Sequence, residues 1–344
     1  MTTRRSITKA AMALVFTALT AQVTHAQTPA EFYKGKTVTL IVSAAPGGGA
    51  DLYARAFIKY FSKYLPGNPN VVINNLPGAG GLTAAGQLQN SEARDGTVVA
   101  MLQRNNLYLP LVSDEKIAFD PRKVGWLGSL NKETYALATW QNAKVKKIDD
   151  LFAQPLVIGS TSFNNENRTF PAIINQYLGA KMDIVAGYKG NDEIALAMER
   201  GEVQGRFLTV TSLMSGNDAS WLKDGKINVI AQMGIEPNPA IPNVPLILNY
   251  VKNPETKALF EFMFLPLQTG RPFAAPPEVP ADRLAALRKA FEDAANDKDF
   301  RAELTKQNAT VELVNGLDTE AIVKTLYATP GDTIKAVKAL LKPQ

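Results

Sequence analysis

The chain runs Thr37-Val38-Thr39-Leu40-Ile41-Val42 and, two residues later, Ala45-Pro46-Gly47-Gly48-Gly49-Ala50-Asp51. A near-continuous β-branched run of this length suits a strand buried on both faces of a parallel sheet. The glycines after it let the backbone turn sharply and approach a ligand closely. A helix is predicted next, over 50–65, because Tyr53, Phe57, Tyr60, Phe61 and Tyr64 fall on one apolar stripe that reads as core. Pro66-Gly67-Asn68-Pro69 stops that helix. Val71-Val72-Ile73 reads as the next strand, 82–89 as a helix and 97–102 as a third strand. The unit is βαβαβ, with parallel strands and right-handed crossovers.

A second unit of the same kind begins near residue 148. Strands are predicted at 156–158, 183–185, 204–210 and 227–231, with helices at 169–178 and 191–200. No internal sequence repeat relates the two units. Pro237, Pro239, Pro242 and Pro245 then mark an irregular connector, and Phe262-Met263-Phe264-Leu265 reads as a strand. Helices follow near 281–296, 298–307, 318–328 and 331–341, the first with Leu284, Leu287 and Phe291 as its stripe. These helices have no sheet of their own, so they are expected to complete the first domain. The division expected is a lobe of residues 27–131 plus 235–344, with 132–234 inserted as the second lobe.

The N-terminus has the chemistry of an export signal. Arg4, Arg5 and Lys9 precede a short apolar stretch from Ala10 to about Ala21, and Thr24-His25-Ala26 gives a small-x-small cleavage pattern before Gln27. Residues 1–26 therefore read as a signal peptide cleaved near Ala26, addressed to the periplasm. The apolar stretch is shorter than the ~18 residues a membrane span needs, and no later run reaches that length. Thr3-Arg4-Arg5-Ser6-Ile7-Thr8-Lys9 resembles a twin-arginine signal, which leaves two export routes open. No Cys follows the apolar stretch, so lipoprotein attachment there is excluded.

With 344 residues, 46% hydrophobic and 20% charged, the chain has room for two packed domains. Its net charge is +5; removing three basic residues and no acidic ones with the signal leaves 5 − 3 = +2. Neither a nucleic acid nor a membrane surface is implied as partner. Lys144-Val145-Lys146-Lys147 reads as a solvated helix edge. The one His in the chain is His25, inside the signal, and there is no Cys. The mature protein thus lacks imidazole and thiol. Ser-His-Asp and Cys-His catalysis, the usual zinc ligand sets and the commonest general base all drop out. No cofactor, metal or catalytic residue is expected, and no disulfide.

The informative positions are glycine-rich loops between a strand and a helix. In the first, Pro46, Gly47, Gly48 and Asp51 read either as an anion cradle at a helix start or as a tight turn with Asp51 capping the helix and pairing with Arg55. No Gly-Lys-Ser/Thr follows and no Gly-x-Gly-x-x-Gly is completed, so neither phosphate-loop nor dinucleotide chemistry fits. The second loop, Asn75-Leu76-Pro77-Gly78-Ala79-Gly80-Gly81, offers Gly78, Ala79 and Gly80 at the same sheet edge, where open α/β sheets bind ligands. Gln103-Arg104-Asn105-Asn106 ends the third strand on that edge; Arg104 either pairs with a carboxylate or faces solvent. From the second unit, Ser160, Thr161, Asn164, Asn165, Arg168 and Tyr188 read as hydrogen-bonding candidates for a polar ligand.

These segments resemble the substrate-binding receptors of tripartite tricarboxylate transporters, the Bug family. The resemblance is carried by Phe32-Tyr33-Lys34-Gly35-Lys36, by Ala45-Pro46-Gly47-Gly48 with Asp51 and Ala54-Arg55, and by the loop 75–81. Asp95-Gly96-Thr97, Gly187-Tyr188-Lys189-Gly190, the segment 199–203 and Ala275-Pro276-Pro277-Glu278-Val279-Pro280 extend it over essentially the whole mature chain. It implies an α/β, type II periplasmic-binding fold: two lobes with mostly parallel sheets around a central cleft. It further implies a small organic carboxylate held by main-chain N–H groups of the first two loops, delivery to a membrane permease, and a monomer with no enzymatic activity. Many members carry a second-lobe loop ending in His; here that region reads Ser162-Phe163-Asn164-Asn165-Glu166-Asn167-Arg168, with Arg168 where the His is usual. Two other classes remain beside this one: a receptor that reports to a membrane sensor, and an exported enzyme using carboxylate or Lys chemistry.

Overall fold

The computed structural model describes residues 27–47, 49–161 and 165–341. The signal peptide and its cleavage site at Ala26 lie outside the described residues, as do Gly48 and Asn164.

Among the described residues eleven strands form two sheets. In chain order they are β1 (Thr37–Val42), β2 (Asn70–Asn75), β3 (Val98–Met101), β4 (Gly125–Ser129), β5 (Tyr135–Trp140), β6 (Leu156–Gly159), β7 (Met182–Val185), β8 (Gly205–Thr209), β9 (Ile227–Met233), β10 (Pro272–Ala275) and β11 (Val314–Asn315). The first sheet has the order β11-β4-β10-β3-β1-β2 and the second β7-β6-β8-β5-β9. β1 pairs in parallel with both β2 and β3, as the βαβαβ reading requires. β6 pairs in parallel with β7 and β8 in the same way. In the first sheet β10, between β3 and β4, and the edge strand β11, beside β4, run against the other four strands; in the second sheet β5, between β8 and β9, runs against the rest. β5 is the first strand laid down after the chain leaves the first sheet, and β10 is the strand on which it returns.

Both passages between the sheets use buried polar groups. Asn131 and Glu133 follow β4 and are 0% and 3% exposed. Asn131 Nδ2 donates to Glu133 Oε1 at 3.0 Å, and Arg271 Nη1, just before β10, lies 3.6 Å from the same oxygen. The Gly270 N–H donates to the Asn131 carbonyl at 2.8 Å. A buried carboxylate is tolerable when paired and hydrogen-bonded in this way.

The aromatic stripe of the helix Gly49–Tyr64 is core. Tyr53, Phe57, Tyr60 and Phe61 are buried. The Phe57 ring lies 5.4, 5.1, 5.3 and 5.5 Å from those of Phe61, Phe273, Phe291 and Phe300, centroid to centroid. Phe291 and Phe300 belong to the helices Ala281–Asn296 and Lys298–Thr305. These two helices thus cover the first sheet on the face shared with Gly49–Tyr64, while Val323, Leu326 and Val337 of the last two helices pack into the other apolar cluster. Gly128 of β4 has φ +142°, and a Cβ there would sit 2.5 Å from the Val314 carbonyl oxygen and 2.6 Å from the Phe291 ring. Only glycine lets β11 and this helix close onto β4.

One predicted strand is a helix. Residues 262–265 fall in the helix Pro254–Phe264 and the 3₁₀ turn after it. The deciding signal lies upstream: Asn253 accepts hydrogen bonds from the N–H groups of Glu255 and Thr256, and Pro254 occupies the first turn. Phe260, Phe262, Met263 and Phe264 are all buried, so no alternation marks the run as strand or helix. The returning strand is instead β10, only four residues long and opened by a proline. Lys144, Lys146 and Lys147 are exposed as expected, but in the loop entering the helix Ile148–Ala153 and not on its edge. Among the described residues no helix is long and apolar enough to cross a membrane.

Phe57→Ala is expected to cost about 3–5 kcal/mol of unfolding free energy, since it opens a cavity among four packed rings. Denaturant unfolding of the variant against the parent measures this; a loss under about 1 kcal/mol would contradict the packing described.

Candidate functional site

The parallel strands of both sheets end toward a shared space. A cleft of about 900 Å³ is lined from the first sheet by Ser43 after β1, by residues 78–82 after β2 and by Gln103, Arg104 and Asn105 after β3. Tyr135, Asn165 and Glu166 close it from the second sheet. A second concavity of about 580 Å³ shares Tyr135 and Asn165 with it and continues over Thr161, Asn167 and the loop 187–191. C-terminal strand ends are where open α/β sheets hold ligands.

The loop after β2 carries the most distinctive backbone. Gly78, Ala79, Gly80 and Gly81 all have positive φ, at 135°, 46°, 63° and 91°. Consecutive N–H groups in such turns form concavities that suit an anion. The conformation is locked from behind. Asn106, which is fully buried, donates from Nδ2 to the Gly80 carbonyl at 3.0 Å. A Cβ on Gly81 would lie 2.6 Å from Gln103 Cγ and 2.8 Å from Asn106 Oδ1, so the residues after β3 press directly on this loop.

Arg104 does not face solvent. Its side chain is 12% exposed, and its Nε lies 2.8 Å from Oε1 of Glu166, whose side chain is 14% exposed. The Nε–H is not aimed at that oxygen. The contact is therefore chiefly electrostatic. Arg104 Nη2 donates to the Tyr135 hydroxyl at 3.0 Å, and that hydroxyl donates to Glu166 Oε2 at 3.4 Å. Burial works against the guanidinium charge, but the carboxylate of Glu166 outweighs it and holds Arg104 protonated. Burial, reinforced by Glu166, pushes the Tyr135 phenol above its ordinary range, so it remains a neutral donor. The three groups come from the end of β3, the start of β5 and the first turn of the helix Glu166–Leu178.

The predicted site residues divide into several groups. Gly78, Ala79, Gly80, Arg104, Asn105 and Asn165 line the large cleft, while Thr161, Asn165 and Tyr188 line the adjoining concavity. Asn165 also accepts the Asn167 N–H as the cap of its helix, and Asn167 Oδ1 accepts from the Thr161 N–H and hydroxyl at 3.2 and 3.1 Å. Ser160 is fully buried beneath this surface. Arg168 is half-buried and is not among the described residues that line either concavity. Pro46, Gly47 and Asp51 do not line the large cleft with Gly78, Ala79 and Gly80; they line a separate concavity with Arg55, Glu303 and Gln307.

Asp51 there has a full set of partners. Its Oδ2 accepts from the Gly47 N–H at 2.9 Å and from Arg55 Nε at 2.7 Å, and its Oδ1 accepts from Asn75 Nδ2 at 2.9 Å. The hydrogen bond from Arg55 leads in holding its pKa down at about 2, against the opposing effect of burial. Asn75 also donates to the Ala44 carbonyl at 3.0 Å. Asp51 thus ties the start of the first loop to the end of β2.

Sequence reasoning passed over Tyr135, Glu166, Gln103 and Asn167. Tyr135 opens a strand that composition did not reveal. Glu166 has no local signature, since its partner is Arg104, far away in the chain. Among the described residues no cluster of side chains suited to holding a metal ion is found.

Comparison with known proteins bears on this arrangement. The family model described as the tripartite tricarboxylate transporter family receptor matches residues 54–338. A curated protein of Cupriavidus necator, named UPF0065 protein in gbd 5′ region, is 26% identical over 257 residues, 72% of this chain and 74% of that one. Among solved structures, a TctC solute-binding protein from Polaromonas without ligand superposes with a TM-score of 0.68 at 19% identity, covering 90% of this chain and 98% of that one. MatC from Rhodopseudomonas palustris with bound malate superposes at 0.62 and 20% identity, covering 89% and 99%. The fold is the two-lobed periplasmic-binding type, with β10 and β11 reversed in the first sheet and β5 in the second.

Asp51 gives a signed prediction. Its pKa of about 2 is below the ~3.9 of an unfolded aspartate, so its contribution is present above pH ~4 and is lost as pH falls toward 2. Unfolding midpoints measured between pH 5 and 2 are expected to fall less steeply in Asp51→Asn than in the parent. Identical slopes would contradict the latch.

Proposed function

The chain belongs to the tripartite tricarboxylate transporter receptor family, and on that premise we propose that it is an exported receptor that captures a small organic acid in the periplasm and presents it to a membrane permease. In this reading residues 27–131 with 235–344 make one lobe, 132–234 make the other, and the ligand sits between them. It catalyses no reaction; the mature chain offers neither imidazole nor thiol.

The observation that carries the proposal is the loop 78–81 at the cleft wall. Four residues of positive φ, braced by Asn106 and Gln103, turn the backbone at a strand end into an anion-binding surface without a cation. A carboxylate there is met by N–H groups, while Asn105, Asn165 and the Tyr135 hydroxyl stand within the same cleft for the rest of the ligand. The malate-bound relative of the same fold supports an acid as ligand. Hinge closure between the lobes then seals the acid against Thr161, Asn167 and Tyr188.

A thermal-shift screen of the mature chain against organic acids, with sugars and amines as controls, tests this. Acid at a hundred times its dissociation constant is expected to stabilise by about 2.7 kcal/mol. Because no His is present, the affinity should stay flat from pH 8 to 5.5 and fall only as the acid itself protonates near pH ~4. Shifts with sugars or amines alone, or a steep change in affinity near pH 6.5, would contradict the proposal.

A further inference from the structure

We infer that the cleft is built for an acid with a single carboxylate, whose other end carries an uncharged or cationic hydrogen-bonding group, and that Glu166 imposes this choice. The inference rests on the receptor function proposed above.

A second carboxylate needs a cation or a second set of N–H donors to meet it, and the cations that line the cleft beside the 78–81 loop are already taken. Arg104 is the arginine at the cleft wall, and Glu166 stands 2.8 Å from its Nε while Tyr135 takes its Nη2. Lys338, at the rim, pairs with Asp114 at 2.6 Å. Among the described lining residues the charged side chains are Arg104 and Lys338 against Asp114, Glu115 and Glu166, two basic to three acidic, a formal charge of −1. A monoanion held by neutral N–H groups of 78–80 tolerates that balance, the Gly81 N–H being donated to the Gly78 carbonyl. A dianion would bring its second charge against Glu166, or displace Glu166 from Arg104 and leave a mostly buried carboxylate without its partner.

The groups beside the pair point the same way. Tyr135 is a neutral phenol that both accepts from Arg104 and donates to Glu166. Asn165, Asn167 and Thr161 are uncharged donors and acceptors that line the adjoining concavity, where the one charged residue among the described lining, Lys189, is exposed to solvent. Glu166 itself accepts hydrogen bonds and donates none. A hydroxyl, amide or ammonium at the far end of the ligand is therefore complementary, and a carboxylate is not. Glu166 acts here as a built-in carboxylate that occupies the place a second ligand carboxylate would take.

The test is calorimetric titration of the mature chain with matched pairs of acids, aliphatic and aromatic. Each pair joins a dicarboxylate to the acid of equal length whose far end is a hydroxyl, amide or amine. The singly charged member is expected to bind at least tenfold more tightly in the pairs that bind. In Glu166→Gln, which keeps size and one acceptor, that ratio should shrink to threefold or less, with a thermal unfolding transition as cooperative as the parent's. Equal or tighter binding of dicarboxylates by the parent overturns the inference and leaves the receptor function standing, and it does so whether or not the variant folds. An unchanged ratio in a folded Glu166→Gln also overturns it. Failure of every acid to bind removes the receptor function and this inference with it.

Discussion

An arginine almost withdrawn from water has to find a negative partner, and Arg104 finds one on the opposite side of the cleft, 62 residues away in the chain. That pairing draws together three pieces of structure: the turn after β3, the first residue of β5, whose Tyr135 ring also packs edge-on against Phe170, and the helix Glu166–Leu178. It also sets the electrostatics of the cleft. With Arg104 paired to Glu166, what the first sheet offers an acid in the function proposed is backbone N–H groups, and the second sheet's wall offers amides and hydroxyls. A binding surface made of neutral donors discriminates by shape and hydrogen-bond pattern more than by total charge.

The topology makes this meeting possible. Each sheet places its three parallel strands side by side and receives the crossing strand in reverse, so the C-terminal ends of β1, β2 and β3 look toward those of β6 and β7. The passages that accomplish this are anchored by buried Asn131 and Glu133 and half-buried Arg271, paired with one another. Rigid aromatic packing around Phe57 keeps the first sheet and its late helices as one body.

Much of this was legible in the amino-acid order, and the remainder was hidden for identifiable reasons. The run 37–42 reads as a strand because β-branched residues crowd one short segment, and the aromatic stripe of 49–64 reads as core because its period is helical. β4 and β5 escaped because Gly125, Gly128, Ala136 and Ala138 dilute the strand signal; their glycines and alanines answer to close packing, not to propensity. Residues 262–265 were taken for a strand because a short, fully buried apolar run has no period, and the Asn253-Pro254 helix start lay eight residues upstream. Of the site, the glycine loop 78–81 announced itself, since only a special backbone calls for three glycines in four residues. Asp51 announced a helix start, and its role proved to be tying its own loop to Asn75. The pair Arg104–Glu166 could not be seen from sequence, because an ion pair between distant segments leaves no spacing to detect.

The most direct test of this account is amide hydrogen exchange of the mature chain with and without a saturating carboxylic acid that it binds. The account predicts slowed exchange on both walls of the cleft at once, over 78–82 and 103–106 on one side and 161–168 and 187–191 on the other. Protection confined to one wall, or appearing instead at the outer cavity between residues 121–126 and 320–328, would contradict a ligand held between the two sheets.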